Sequence, residues 1–64
     1  MTITAILPAF NEEISIGSVV LHAKQHVDHV IVIDDGSIDR TSEVAQLAGA
    51  EVIVIQEILG RARH

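Results

Sequence analysis

The 64-residue sequence has no cysteine, tryptophan or tyrosine, and only one phenylalanine, one proline and one methionine. Without cysteine there is no disulfide, thiolate metal site or thiol nucleophile, so packing and hydrogen bonding alone must hold the chain together. The absence also fits a reducing compartment, and a cytoplasmic location is expected. Basic residues are scarce, four against nine acidic ones, for a formal net charge of −5. That sign excludes a surface built to track nucleic-acid phosphates. No apolar run approaches the ~20 residues that span a bilayer, and no signal-peptide pattern opens the chain. A chain this short lies near the lower limit for a self-sufficient core. At that size, buried apolar area and lost conformational entropy come out close to balance.

Apolar residues make up 48% of the chain, most of them valine, isoleucine and alanine. This is the composition of a parallel sheet buried on both faces. The segment Thr2 to Leu7 alternates in the manner of a strand and is bounded by Pro8. Asn11 has the chemistry of a helix N-cap, and Glu12 and Glu13 would occupy the first turn, where the helix dipole favours negative charge. The helix is expected to run to about His26, with Ile16, Val19, Val20, Ala23 and Val27 on its apolar stripe. Ile14 and Leu21 fall on the opposite side. A second strand is expected over His29 to Ile33, followed by a turn at Gly36 and Ser37. Asp39 can cap a second helix from about Arg40 to Ala48, with Thr41, Val44, Leu47 and Ala48 facing inward. Gly49 sits where a C-cap glycine belongs, and Glu51 to Ile55 completes a third strand. The result is a β-α-β-α-β parallel unit in a single domain, residues 1–64, with no repeat, linker or low-complexity segment.

Two polar clusters follow directly on strands: Pro8-Ala9-Phe10-Asn11-Glu12-Glu13 and Asp34-Asp35-Gly36-Ser37-Ile38-Asp39-Arg40-Thr41. In open parallel sheets, ligands bind outside the carboxyl ends of the strands. The pair of motifs resembles the start of family 2 nucleotide-sugar glycosyltransferases of the GT-A fold, most of all the dolichyl-phosphate mannosyl- and glucosyltransferase-like branch. The resemblance extends over residues 2 to about 57. It implies a three-layer Rossmann-like α/β fold of the GT-A nucleotide-diphospho-sugar transferase type, with strand order 3-2-1. It also implies a nucleotide-binding role for Pro8, Ala9, Phe10, Glu12, Asp34 and Asp35. Asp35 is the foremost candidate to accept a hydrogen bond from the base, and Glu12 a candidate acceptor for ribose hydroxyls. The nucleoside diphosphate sugar is the implied partner, bound weakly or not at all by this chain alone. Mg or Mn is the divalent ion implied for the full-length family, and none is expected to bind this chain alone.

The family's next element, an Asn-x-Gly-Lys-Gly-like turn near the diphosphate, is replaced by Ile58-Leu59-Gly60-Arg61-Ala62-Arg63. The family's Asp-x-Asp metal site, acceptor pocket and catalytic base lie beyond the matched stretch. No catalytic residue and no metal ligand is therefore assigned here, and the chain is expected to be a truncated nucleotide-sugar-binding portion, inactive alone. Arg61 and Arg63 are too few for a polybasic anchor and are expected to be solvated.

Other chemistries fail on missing groups. A haloacid-dehalogenase-type nucleophile would stand at Ile33, and the acidic pocket of a receiver domain would need an aspartate and a lysine on later strands. No dinucleotide fingerprint or P-loop lysine is present. His22 and His26 have i, i+4 spacing but no carboxylate or cysteine at ligand distance in sequence, as expected of a surface pair.

In the strand order that the resemblance implies, both right-handed crossovers step the same way, so both helices are expected on one face of the sheet. The opposite face, apolar at alternate positions, is left uncovered. A homo-oligomer is therefore expected, by face-to-face packing of sheets in preference to edge pairing of Thr2 to Leu7. The alternative to the enzymatic reading is accordingly a non-catalytic oligomerising α/β module.

Overall fold

In the computed structural model, which describes residues 1–55, three parallel strands alternate with two helices. In chain order these are β1 (Thr4–Ala9), α1 (Ile16–Lys24), β2 (His29–Asp34), α2 (Thr41–Leu47) and β3 (Glu51–Val54). The spatial order is β1-β2-β3, the adjacency expected. Thr4 stands opposite His29 and Ala9 opposite Asp34, while Ile31 stands opposite Glu51 and Asp34 opposite Val54. The 58–63 turn, the Arg61 and Arg63 tail and His64 lie outside the described residues.

Side chains alternate across the sheet with period two, and the register aligns that alternation across all three strands. Ala9, Val30 and Val32 are buried beneath the helices with Ile16, Val20, Ala45 and Ala50, while Leu7 and Val52 pack against that core. The far face carries Ile6, Pro8, Ile31, Ile33 and Ile53, with Thr4, His29 and Glu51 at its entry end. Ile6 is 63% and Ile53 45% exposed. No helix or strand among the described residues covers this face.

Strand β1 begins two residues later than expected and runs through Pro8 to Ala9. Proline lacks an N–H, but β1 is an edge strand and the ladder loses nothing on its open side. The first helix also starts later than expected. Asn11 takes a left-handed backbone, φ 52, and does not cap it. The carbonyl of Glu12 accepts from Ser15 N at 3.1 Å and Ile16 N at 2.8 Å, so a separate turn precedes α1. No acidic residue lies in its first turn. The cause is tertiary: the amides of Glu12 and Glu13 donate to Thr41 Oγ1 and Asp39 Oδ2 on the second loop.

Two stripe assignments change. Leu47 is 81% exposed and Ala45 is fully buried in its place. Thr41 and Ala45 define the buried direction of α2, and Leu47, six residues after Thr41, is turned from it by about 240° at 100° per residue. Val19 is 43% exposed, leaving Ile16 and Val20 as the buried positions of α1. Gly17 permits the helices' approach, since a Cβ there would lie 3.1 Å from Val44 Cγ1. The end of α2 is as expected. Gly49 has φ 106, its N–H donates to Gln46 O at 3.0 Å and Ala50 N donates to Ala45 O at 3.1 Å, a Schellman closure.

Candidate nucleotide-binding site

Strands β1 and β2 end side by side, and the ladder continues one step further as Asp35 N donates to Ala9 O at 2.9 Å. The two polar segments therefore leave the sheet together. Between them lies a concavity of about 280 Å³ lined by Pro8, Ala9, Phe10, Glu12 and Asp35. Five of the six expected site residues meet there. Phe10 is 51% exposed, so its ring offers an accessible apolar surface at the rim.

Asp34 is placed elsewhere. Adjacent residues of a strand point to opposite faces, and the alternation that puts Asp35 with Pro8 turns Asp34 under the helices, where it is 2% exposed. Its Oδ1 accepts from Ser37 N at 2.9 Å and Ser37 Oγ at 2.6 Å, and its Oδ2 accepts from Ser42 Oγ. Burial raises its pKa, but the hydrogen bonds from Ser37 and Ser42 outweigh burial and hold it below the ordinary carboxylate value. Asp39 is lowered as well, first by the Thr41 hydroxyl, with the backbone amides of Thr41 and Glu13 adding to it. Its Oδ1 accepts from Thr41 N, the first amide of α2, at 3.0 Å, but the N-cap position itself falls at Arg40, one residue later than the Asp39 cap expected.

These directions determine the acid limb of stability. A carboxylate with a depressed folded-state pKa contributes stability that is complete above its unfolded value, about 3.9 for aspartate. That contribution is lost as pH falls through the lower, folded value. The chain is expected to hold its thermal midpoint from neutrality to about pH 4 and to lose it steeply below. In Ser42→Ala, which removes one donor to Asp34, that loss should become shallower, measured by circular dichroism melts across the pH series. An unchanged slope would exclude Asp34 as a principal titrating group.

The remaining site contacts tie one loop to the other. Asn11 N donates to Ser37 Oγ at 2.7 Å, and Ile38 N donates to Asn11 Oδ1 at 2.9 Å. Arg40 N donates to Glu13 Oε1 at 2.9 Å. Glu12, expected to face ribose hydroxyls, turns Oε1 back to accept from Phe10 N at 3.2 Å. Ser37, Thr41 and Ser42 were legible only as turn or helix residues. Their signal was the density of Ser, Thr, Asn and Asp in both clusters, the side chains that bond to nearby backbone.

His22 and His26 pack edge to face, ring centroids 5.0 Å apart, and both are exposed. No three His, Asp or Glu side chains among the described residues converge as a metal-ligand set. No helix among them is long and apolar enough to cross a membrane.

A family model for glycosyl transferase family 2 matches residues 4–63. An uncharacterized protein of Methanocaldococcus jannaschii is 45% identical over 60 residues, covering 92% of this chain and 24% of that protein. Glucosyl-3-phosphoglycerate synthase of Mycolicibacterium smegmatis is 46% identical over 56 residues, covering 81% and 18%. The solved glucosyl-3-phosphoglycerate synthase of Mycobacterium tuberculosis, in complex with Mn2+, UDP-glucose and phosphoglyceric acid, superposes with a TM-score of 0.75. It is 42% identical, over 83% of this chain and 20% of that one. Another structure of that enzyme holds Mg2+ and UDP. The chain thus spans about a fifth to a quarter of the length of these relatives. The dolichyl-phosphate branch suggested by the motifs is not confirmed by these matches, among which the characterised relatives are glucosyl-3-phosphoglycerate synthases.

Proposed function

The chain belongs to glycosyl transferase family 2, and from that premise we propose that it forms the nucleoside-recognising corner of a sugar-nucleotide site, with a UDP-sugar as donor. The observation that carries this reading is the concavity in which Pro8, Ala9, Phe10, Glu12 and Asp35 meet at two adjacent strand ends. Pro8 and Phe10 offer apolar surface to a base, and the Asp35 carboxylate is an acceptor suited to the uracil N3–H. Glu12 reaches the ribose hydroxyls by releasing Phe10 N, an exchange of one hydrogen bond for another. Asp34 serves the site from behind, as an anchor of the second loop.

The divalent ion held by the solved relatives does not fit the described residues, which bring no three ligating side chains together. No chemical step through it is assigned to them. Transfer of the sugar needs groups that these residues do not contain, and the chain alone is expected to bind without turnover.

With only the nucleoside contacts present, affinity for UDP should lie near the millimolar range, roughly −4 kcal/mol. Calorimetric titration should show UDP preferred over CDP, because cytosine N3 carries no proton for Asp35 to accept. Asp35→Ala should weaken UDP binding about tenfold, the scale of a hydrogen bond to a charged group, and erase the preference. Equal binding of UDP by wild type and Asp35→Ala would refute the assignment.

A second reading is favoured by the uncovered apolar face: as a free 64-residue chain, the molecule self-associates through Ile6, Ile31, Ile33 and Ile53. A contiguous apolar sheet face is self-complementary across a two-fold axis, the commonest symmetry by which copies of one chain pair.

A further inference from the structure

Asn11 belongs to the first polar segment yet is not among the residues that line the concavity. It sits between Phe10 and Glu12, which do, and its backbone is left-handed. Non-glycine residues rarely adopt that conformation, and asparagine is among the few that tolerate it. Such a residue is held there by its surroundings, and two hydrogen bonds account for it. The Asn11 amide donates to Ser37 Oγ at 2.7 Å, and its side-chain Oδ1 accepts from Ile38 N at 2.9 Å. Both partners lie on the second loop, so one residue of the first loop closes a two-point clasp on it.

The clasp is anchored in the core. Ser37 Oγ, which accepts from the Asn11 amide, donates its own O–H to Asp34 Oδ1 at 2.6 Å, and Asp34 is buried at the end of β2. A continuous relay thus runs from a fixed carboxylate under the helices, through Ser37, to the backbone between Phe10 and Glu12. We propose that Asn11 is a positioning residue, which sets the spacing of Phe10 and Glu12 from Asp35 through its clasp on Ser37 and Ile38. The proposal rests on the nucleoside reading of the concavity for its functional consequence. Its geometric content stands apart from that reading. Neither loop has a regular element to stiffen it at this point, and the site's two walls come from different loops, so their separation depends on the bonds between them.

Two substitutions separate the clasp from mere tolerance of the backbone angle. Asn11→Gly keeps the left-handed conformation at no steric cost but deletes the acceptor for Ile38 N. Asn11→Asp keeps an acceptor oxygen in place. In the 64-residue chain, Asn11→Gly should remain folded, accelerate hydrogen exchange of the Ile38 amide and weaken backbone NOEs between residues 10–12 and 35–38. It should also weaken UDP binding by about fivefold, the scale of one net hydrogen bond. Asn11→Asp should restore exchange, NOEs and affinity to near wild type. Ser37→Ala, which removes the other point of the clasp, should shift all three readouts in the direction of Asn11→Gly. Unchanged NOEs in both Asn11→Gly and Ser37→Ala would overturn the proposal, as would failure of Asn11→Asp to restore what Asn11→Gly loses. Absence of UDP binding by wild type, or equal binding by Asp35→Ala, would refute the nucleoside reading alone, because the exchange and NOE arms judge the clasp without nucleotide.

Discussion

Asp34→Ala is expected to leave most of the chain unfolded at 25 °C, because three donors lose their acceptor at once inside the protein. Ser37 N, Ser37 Oγ and Ser42 Oγ all end on this one carboxylate, in a site that is 2% exposed. Ser37 and Ser42 are half-buried, so each donor that loses this acceptor costs toward the lower end of ~1–3 kcal/mol, about 3 kcal/mol for the three together. A domain of this length has roughly 3–5 kcal/mol to lose. Urea titration followed by circular dichroism should show the midpoint fall toward zero denaturant. Asp34→Asn, which keeps one carbonyl oxygen for Ser37 and turns an amide toward the Ser42 hydroxyl, should lose about half as much. If Asp34→Ala melts like wild type, the carboxylate is not the anchor of the second loop, and the relay to Asn11 has no fixed end.

Ile31→Lys on the central strand is expected to make the free chain a monomer at concentrations where the wild type associates. The far face is three strands wide and about five residues long, so at ~4.8 Å between strands and ~3.3 Å per residue it covers roughly 250 Å². Two such faces fall well short of the roughly 1,200 Å² that stable interfaces bury. Association should therefore be weak and concentration-dependent, rising through the high micromolar range in light scattering. A lysine at Ile31 puts a charge at the centre of the contact, while its aliphatic stem lies along the sheet and leaves the fold intact. A wild type that scatters as a monomer throughout that range would refute self-association by this face. Equal association of wild type and Ile31→Lys would move the contact to the β1 edge or to Ile14 and Leu21, which are 97% and 56% exposed.

The element order and the two polar clusters at strand ends were legible in the residues, whereas the strand adjacency that brings those clusters together came only with the family resemblance. Valine and isoleucine at successive strand positions specify a sheet apolar on both sides, and the glycine at position 49 marks the end of α2 because few other residues accept its φ. These are local signals, set by periods of two and 3.6 and by single-residue conformational limits. The start of α1, the inward side of α2 and the separate fates of Asp34 and Asp35 were decided by tertiary structure. Asn11 has the chemistry of an N-cap, but the second loop offered its amide and side chain partners 26 and 27 residues away, and those bonds displaced the cap. Leu47 is more hydrophobic than Ala45, yet with Thr41 buried at the start of α2 the helical period turns Ala45 inward and Leu47 to solvent. The sequence by itself determined that two carboxylates would stand at the end of β2 and that they would point apart. Only the packed structure decided which one turns inward to be held by Ser37 and Ser42, because that depends on which face of the sheet the two helices cover.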